Sequence, residues 1–451
     1  MKIRKITCAF LAAAIALAGF AGCGSKKESV RPITEESLDV PYDVTAKITV
    51  AITADPIEKT LINALAEGFR QQYYNVTVEP VIIQGEYVKE LGNRFAAEKN
   101  KPGSVPDILF ANSETSYSLI SYGLFENLDS CLEYETEKNG EYIGQFYDYF
   151  MKLGQEVLNG SQYILPRSAD RVVTHLNTRI LGEAGVDMTK VKNGWTWEDF
   201  LEVCRTVRTF LDENGMNSRY VIDSYVNWEA VMYPIFRSFG VEIFDGKGNV
   251  TLDDASNVAG AQAALDLMKE LVDERYIAPL NSDGSANFEG GQGAMMFHSA
   301  PVYKYKGILG DDYDIVTFPL IGETPKIGAG LAGYGIFSGS ANKAVAWKFL
   351  SYMLSREGQE TLAEGGSTCL PIRTDMADPQ TNKWSEKYRD MNMEAYSYRM
   401  DYNQATDFYL PFEASAQADV ISDLSDLVVS YLGGDSFGKA VSTFKIAIGN
   451  L

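Results

Sequence analysis

Acidic side chains are the residues of this chain best suited to chemistry. The sequence holds 61 Asp and Glu against two His, and five of the acids stand near the expected ends of strands: Asp107, Glu114, Asp170, Asp223 and Glu229. Hydrolysis of a glycosidic bond requires two carboxyl groups that face each other across a sugar ring. The spacing along the chain does not pair these acids, so a secreted carbohydrate-active enzyme stays open as an alternative.

Histidine and cysteine chemistry is sparsely represented. His175 and His298 lie far apart inside apolar stretches, which favours core or hydrogen-bonded histidines over a metal centre. Cys131, Cys204 and Cys369 match no metal-binding spacing and are expected to be buried free thiols, with one disulfide as the alternative. We therefore predict no metal, no cofactor and no catalytic residue.

Three glycines have the spacing of a nucleotide-binding loop. Gly328, Gly330 and Gly333 satisfy G-x-G-x-x-G, but that loop must close a strand and open a helix. Here Pro325 stands just before the glycines, and residues 334–338 (YGIFS) after them look like a strand. The favoured interpretation is that small residues let the backbone turn and approach a ligand.

The charge balance excludes whole classes of partner. The 451 residues carry 40 Lys and Arg against 61 Asp and Glu, a formal charge of −21. Because so acidic a surface repels phosphate backbones and anionic headgroups, we expect no nucleic acid partner. With 45% hydrophobic residues, the chain has the composition of a folded protein long enough for two or three domains.

The first residues predict export and lipid attachment. Cations precede an uncharged apolar run over residues 6–22, which is shorter than the roughly 20 residues of a membrane-spanning helix. Small residues at positions 21 and 22 then precede Cys23, a pattern that resembles a bacterial lipoprotein signal. We predict a signal peptide at 1–22, then a lipidated Cys23 and a flexible tether over 23–45, so that only the lipid reaches the membrane.

Strands and helices alternate along the body of the chain. Residues 46–53 (AKITVAIT) and 76–83 (VTVEPVII) have strand patterns, and a helix begins between them at Pro56. This order predicts a βαβ unit with parallel pairing, and Pro80 favours an edge position for the second strand. Further helices are expected at 87–98, 196–211 (opened by a capping box from Thr196 to Asp199), 255–274 and 342–355. The predicted fold class is therefore α/β.

Six segments follow one another in a recognisable order. They are residues 103–108 (GSVPDI), 123–128 (GLFENL), 159–166 (NGSQYILP), 196–200 (TWEDF), 288–297 (FEGGQGAMMF) and 347–359 (WKFLSYMLSREGQ). Together they resemble the sugar-binding group of the extracellular solute-binding proteins of bacterial ABC importers, which includes maltose-binding protein. The resemblance covers about residues 46 to 375.

This resemblance implies a two-lobed, periplasmic-binding-protein-like fold with a hinge and a ligand cleft between the lobes. By analogy, residues 46–157 and 306–345 form the N-lobe, and residues 158–305 and 346–451 form the C-lobe. Ligands of open α/β sheets bind outside the carboxyl ends of the strands, and clefts between lobes bury a ligand on two sides. Both rules agree with such a site.

A sugar site needs flat aromatic faces for C–H surfaces and polar groups for hydroxyls. The resemblance implies that an aromatic residue stacks on sugar where Tyr225 and Trp228 stand, and Trp228 is the strongest candidate. The second stacking tryptophan of the family is absent, and Tyr303 is a partial substitute. Further candidates stand at expected strand ends: Asp55, Glu114, Asp170, Tyr334 and Arg373. Arg373 would form a clamp for an anionic ligand if it converged with Arg167 and Arg171.

The expected function is that of a lipid-anchored receptor on the cell membrane, facing the extracellular or periplasmic side. The resemblance implies that it captures a carbohydrate, with an oligosaccharide favoured, and delivers it to an ABC permease with its ATPase subunits. The chain would act as a monomer and would do no chemistry. A binding protein for a non-sugar solute, such as a peptide, polyamine or iron complex, is the alternative beside the enzyme.

Overall fold

The computed structural model describes residues 33–54, 56–155, 160–168, 170–278, 286–299, 302–364, 371–376, 378, 386, 388–413 and 415–451. The side chains of Glu36, Glu114 and Tyr303 also fall outside this description. The signal peptide, Cys23, Asp55 and Cys369 lie outside the described residues, so the expectations for them stay predictions.

Helices and strands alternate through most of the chain. The strands are β1 (Ala46–Ile52), β2 (Val76–Ile82), β3 (Ile108–Asn112), β4 (Leu165–Pro166), β5 (Asp170–Arg171), β6 (Val173–Asn177), β7 (Ile222–Asp223), β8 (Met295–His298), β9 (Tyr313–Thr317), β10 (Ile327–Gly330), β11 (Ala332–Ile336) and β12 (Asn403–Gln404). The helices are α1 (Glu35–Leu38), α2 (Pro56–Phe69), α3 (Tyr87–Glu98), α4 (Ser113–Ser121), α5 (Asp129–Asn139), α6 (Asp148–Leu153), α7 (Thr178–Glu183), α8 (Trp197–Glu213), α9 (Glu229–Ser238), α10 (Val258–Asp273), α11 (Val302–Leu309), α12 (Lys343–Leu354), α13 (Arg356–Glu364), α14 (Gln417–Leu432) and α15 (Phe437–Ile448).

The first sheet has the strand order β2-β1-β3-β11-β4. β1 pairs in parallel with β2 and β3, whereas β11 runs antiparallel to β3 and β4. The predicted βαβ unit is thereby confirmed, and β2 lies at the sheet edge, as Pro80 within it indicated. The expected strand after the glycines is also present as β11.

The second sheet has the order β7-β8-β6-β9, and a small sheet has the order β12-β10-β5. The predicted helices are present with ends shifted by a few residues. The capping box that opens α8 is present too, since the Asp199 amide donates to Thr196 Oγ1 over 3.1 Å. The chain passes through the small sheet on its way between the two larger sheets. It runs from β4 through β5 to β6, and it returns from β9 through β10 to β11.

Packing divides the chain differently from the expected lobes. α12 contacts β1 and α2, and α13 contacts α2, although 346–451 was expected in the C-lobe. The reason is an apolar helix face, because Trp347, Phe349 and Leu350 are buried in the core beside the first sheet. In turn, β9 joins the second sheet, although 306–345 was expected in the N-lobe.

The expected flexible tether over 23–45 is docked on the body from residue 33 onward. Leu38 is 0% exposed, and Val40 and Val44 pack against the core beside the first sheet. These apolar side chains are spaced too irregularly to predict an element, but each finds a buried position on the folded body.

Candidate functional site

A cavity of about 100 Å³ lies where the two larger sheets approach each other. Its walls come from the β3–α4 junction, the small sheet, the start of α9, the end of β8 and the chain after β12. The lining residues are Asn112, Ser113, Asp170, Val172, Trp228, Glu229, Ala230, Ser299, Gly328, Ala329, Gly330, Leu331, Thr406, Tyr409 and Ile421. Asn112 and Ser299 follow the carboxyl ends of their strands, where α/β folds place ligands.

Glycines on β10 bring the walls of the cavity together. A Cβ atom on Gly328 would lie 2.0 Å from the Ala230 carbonyl oxygen, so only glycine lets β10 pack against the start of α9. A Cβ atom on Gly330 would lie 2.8 Å from Ser113 Oγ. The glycines therefore serve close packing of β10 against other elements of the protein, and the expected approach to a ligand stays a prediction.

Trp228 supplies the largest aromatic surface of the cavity. It is the N-cap residue of α9, is half-buried, and its ring centre lies 5.4 Å from that of His298 at an angle of 32°. Trp228 Nε1 donates to Glu229 Oε1 over 3.2 Å. His298 and Glu229 thus position the ring, while Glu229 and Asp170 line the same cavity.

Ser113 and Tyr409 join opposite walls of the cavity. The Tyr409 hydroxyl donates to the Ser113 carbonyl oxygen over 3.0 Å, and the Leu331 amide donates to Ser113 Oγ over 2.6 Å. A second cavity of about 200 Å³ lies beside this contact, between α4, α6 and residues 405–410. Ser113, Thr406 and Tyr409 line both cavities and therefore form a wall between them.

The predicted site residues fall into separate groups. Trp228 and Asp170 line the first cavity. Tyr225 is 67% exposed and is not among the lining residues, although its carbonyl accepts the Trp228 amide hydrogen. Tyr334 is 1% exposed and donates to Glu58 Oε2 over 2.5 Å, so its hydroxyl is bonded within the core beside the first sheet. The side chains of Glu114 and Tyr303, and the whole of Asp55, are outside the described residues.

Arg373 is also committed to protein contacts. Its guanidinium donates to Asp375, to Gln145 and to the Leu354 carbonyl, and lies over the Phe146 ring. These bonds fix the segment after α13 against the start of α6. Tyr334 and Arg373 are thus placed away from the described lining of the cavity, because each satisfies a buried polar partner.

The three arginines considered as an anion clamp do not converge. Arg167 donates to Glu58 Oε1 over 2.6 Å, whereas Arg171 is fully buried and donates to the Tyr398 carbonyl over 2.5 Å. Burial lowers the pKa of Arg171 to about 10. Each guanidinium has its own structural partners, and the described geometry gives no anion clamp.

Two of the candidate acids also have structural roles. Asp107 accepts hydrogen bonds from the amide and hydroxyl of Thr49, from Ser340 Oγ and from Asn342 Nδ2, which ties β1 to the start of α12. Asp223 accepts from the Phe288 amide over 2.6 Å. Among the acids named above whose side chains the structure describes, Asp170 and Glu229 line the cavity.

The expected burial is confirmed for His175, Cys131 and Cys204, whereas His298, the last residue of β8, keeps an exposed surface. His175 Nδ1 lies 2.7 Å from the Tyr313 hydroxyl and Nε2 lies 3.1 Å from the His298 carbonyl oxygen. Burial lowers the pKa of His175 to about 3. Cys131 and Cys204 are buried and free, and burial raises the pKa of both thiols, that of Cys131 to about 12.

The described residues contain neither a metal-binding cluster nor a membrane-crossing helix. Among them, no group of three or more His, Cys, Asp or Glu side chains is arranged to hold a metal ion. Within the same ranges, no helix combines the length and apolarity required to cross a membrane.

Several lining residues were not predicted from the sequence. Thr406 and Tyr409 come from residues 388–410, a stretch rich in tyrosine, and Ser299 lies just after the 288–297 segment. The aromatic content of the tail was the one signal that could have indicated Tyr409. Ser113 and Ile421 belong to helices, and their sequence neighbourhoods carry no signal of a ligand.

Comparison with known families gives a match over most of the chain. The family described as bacterial extracellular solute-binding protein matches residues 64–392, which confirms the resemblance that the order of motifs indicated. The arabinooligosaccharide-binding protein of Halalkalibacterium halodurans is 28% identical over 132 residues. That alignment covers 29% of this chain and 26% of the relative.

Solved structures share the fold over nearly their whole length. The ABC substrate-binding protein Lmo0181 from Listeria monocytogenes, in complex with cycloalternan, has a TM-score of 0.69 at 19% identity and covers 90% of this chain and 99% of its own. The GacH receptor of Streptomyces glaucescens GLA.O, solved unliganded and with acarbose, has a TM-score of 0.66 at 20% identity, covering 90% and 98%. Maltose-bound T. maritima MalE3 has a TM-score of 0.66 at 18% identity, covering 90% and 100%. These likenesses confirm the expected two-lobed α/β fold.

Proposed function

Because the chain belongs to the bacterial extracellular solute-binding protein family, we propose that it captures a carbohydrate outside the cell and delivers it to an ABC permease with its ATPase subunits. Members of this family are binding proteins, and the chain acts as a receptor and not as an enzyme. The named ligands of the similar proteins support a sugar, since they are an arabinooligosaccharide, cycloalternan, acarbose and maltose.

The observation that carries the proposal is the composition of the first cavity. Its lining combines the half-buried Trp228 ring with the carboxylates of Asp170 and Glu229. A pyranose or furanose ring presents C–H groups that pack on an aromatic face, and hydroxyls that donate to carboxylates. A mostly apolar cavity with a few placed polar groups is the usual form of such a site.

Closure of the lobes follows from where these groups stand. Asn112 ends β3 of the first sheet and Ser113 begins α4 directly after it, whereas Trp228 and Ser299 follow β7 and β8 of the second sheet. A ligand that touches both groups binds the closed arrangement more tightly and so shifts the population toward it. The closed, loaded receptor is the form offered to the permease.

The anchor completes the proposal. Cys23 after the apolar leader carries a lipid, so the receptor stays at the outer face of the cytoplasmic membrane as a monomer while the acidic body remains in solution. This placement agrees with the extracellular location of the family.

Titration calorimetry with a panel of linear and cyclic oligosaccharides tests the binding site. The best ligand of the panel should bind Trp228→Ala more weakly by about 1–3 kcal/mol, roughly a 5- to 150-fold rise in Kd, because the stacking face is removed. The matched control is Tyr74→Ala, which truncates a tyrosine that is 60% exposed and lies outside both cavities, and it should bind like the wild type.

Three outcomes would contradict the proposal. Unchanged affinity in a folded Trp228→Ala protein would remove the stacking role. Binding of amines or peptides, with no response to any sugar, would replace the carbohydrate by another solute. Turnover of a bound glycan over hours would make the protein an enzyme.

A further inference from the structure

The start of the described chain is fixed to one face of the molecule. α1 contacts both α5 and α12, and Ile33 and Leu38 are buried in the core beside the first sheet. The N-terminus of this short helix is capped locally, because the amide of the N-cap residue Thr34 donates to Ser37 Oγ over 3.0 Å. We call the surface formed by α1, α5 and α12 the docking face.

Polar contacts hold the same segment at its first residue. The Ile33 amide donates to Glu126 Oε1 over 3.4 Å, and Glu126 Oε2 lies 2.7 Å from Lys343 Nζ at the start of α12. The Lys343 and Glu126 side chains are 8% and 14% exposed, so solvent screens this ion pair little. The first described residue is thereby tied to a buried charge pair of the body.

Further contacts follow toward β1. Asn75 Nδ2 donates to the Asp43 carbonyl over 3.2 Å, and the Tyr42 ring centre lies 5.3 Å from that of Tyr73. Residues 33–45 are therefore attached at both ends and in the middle, and they do not serve as slack between an anchor and the first strand.

We infer that the docking face is held toward the membrane by the short segment between Cys23 and Ile33, which we call the leash. The inference rests on the proposed lipid at Cys23. From Cys23 to Ile33 the chain reaches at most about 35 Å, since each residue spans at most about 3.5 Å. A free segment up to Ala46 would reach about 80 Å by the same rule. Docking of residues 33–45 thus shortens the reach of the chain from Cys23 by more than half. It also fixes which face of the body lies nearest to the lipid.

The charge of the docking face keeps it from adhering to lipid. Glu133 and Glu137 are exposed on α5, and anionic headgroups repel them within a Debye length. The lipid surface is therefore the neighbour of this face without being bound by it. α15 belongs to the other lobe, where Val441 and Phe444 pack in the core beside the second sheet.

Energy transfer to a lipid-surface acceptor tests the orientation in the full-length, lipidated protein on phosphatidylcholine vesicles. Donors are placed at Glu137→Cys on α5 and at Ile446→Cys on α15, where the native side chains are exposed. Cys131 and Cys204 are buried and free, and Cys369→Ser removes a further thiol. Transfer from position 137 should exceed transfer from position 446.

Two variants show whether docking causes the difference. A flexible Gly/Ser insertion of about 20 residues between positions 32 and 33 lengthens the leash by roughly 25 Å in root-mean-square terms and should abolish the excess transfer at position 137. Leu38→Ser, which removes the buried anchor of α1, should reduce it. Equal transfer from both positions in the unmodified leash, with the protein bound to vesicles, would overturn the inference.

The lipid anchor is tested separately, by measuring how much of the protein is found in the membrane fraction. Cys23→Ser should release the protein into solution. If the Cys23 protein is soluble as well, the proposed anchor fails and the inference falls with it. If the Cys23 protein is membrane-bound and the transfer is equal, the anchor stands and only the orientation fails.

Discussion

Acidification should destabilise the protein through His175 before its carboxylates titrate. His175 is 0% exposed and neutral in the folded state, and burial lowers its pKa to about 3, whereas an unfolded histidine has a pKa of about 6.5. Below pH ~6.5 the unfolded state therefore binds more protons, so the contribution of His175 is complete above that pH and is lost as the pH falls toward 3. At about pH 5 the loss is about 2 kcal/mol, from 1.5 pH units at 1.36 kcal/mol each.

Urea unfolding at about pH 7 and pH 5 measures this loss. The variant His175→Gln keeps an amide that can hydrogen-bond but no longer titrates, so its free energy of unfolding should change about 2 kcal/mol less between the two pH values than that of the wild type. His298→Gln is the control, since burial also lowers the pKa of His298 and its contribution must be separated. If His175→Gln loses as much stability as the wild type on acidification, the buried imidazole is not the cause.

Two further predictions concern buried pairing and helix capping. Arg167→Met should lower the free energy of unfolding by about 3–5 kcal/mol in urea, because Glu58, only 4% exposed, would remain as an unpaired buried charge. Arg94→Met, which breaks a half-exposed i,i+4 pair, should cost under about 1 kcal/mol, and equal losses would refute the role of burial. Thr196→Ala should cost about 1 kcal/mol because the α8 cap is lost. Thr206→Ala on the same helix should cost less than about 0.5 kcal/mol, and a larger cost there would argue against capping as the cause.

The local elements of the fold were predictable because neighbouring residues specify them. The alternation of β1, the proline at the start of α2 and the Thr196 cap each act within a few residues. The division into lobes was less predictable, since it depends on which sheet an apolar helix face meets. α12 carries buried side chains over most of its length, and such a helix fits either lobe until its partners are known.

The site was predictable only where one residue carried the chemistry. Trp228 lines the cavity, whereas the neighbouring aromatic candidate Tyr225 is exposed. Tyr334 and Arg373 have side chains equally suited to sugar, yet both are buried and complete hydrogen bonds to Glu58 and Gln145. The order of residues along the chain does not reveal which polar group needs a buried partner, because those partners are distant in sequence.

The glycines of β10 connect the fold with the candidate site. A nucleotide-binding loop needs its glycines so that backbone can approach a phosphate, whereas Gly328 is needed so that β10 can approach the Ala230 carbonyl. That approach sets the position of the first turn of α9, and hence of the Trp228 ring at its N-cap. The same physical requirement, a backbone contact that no side chain would permit, therefore holds two walls of a cleft together instead of a cofactor. A glycine motif read without its flanking strands predicts the close approach and leaves the partner undetermined.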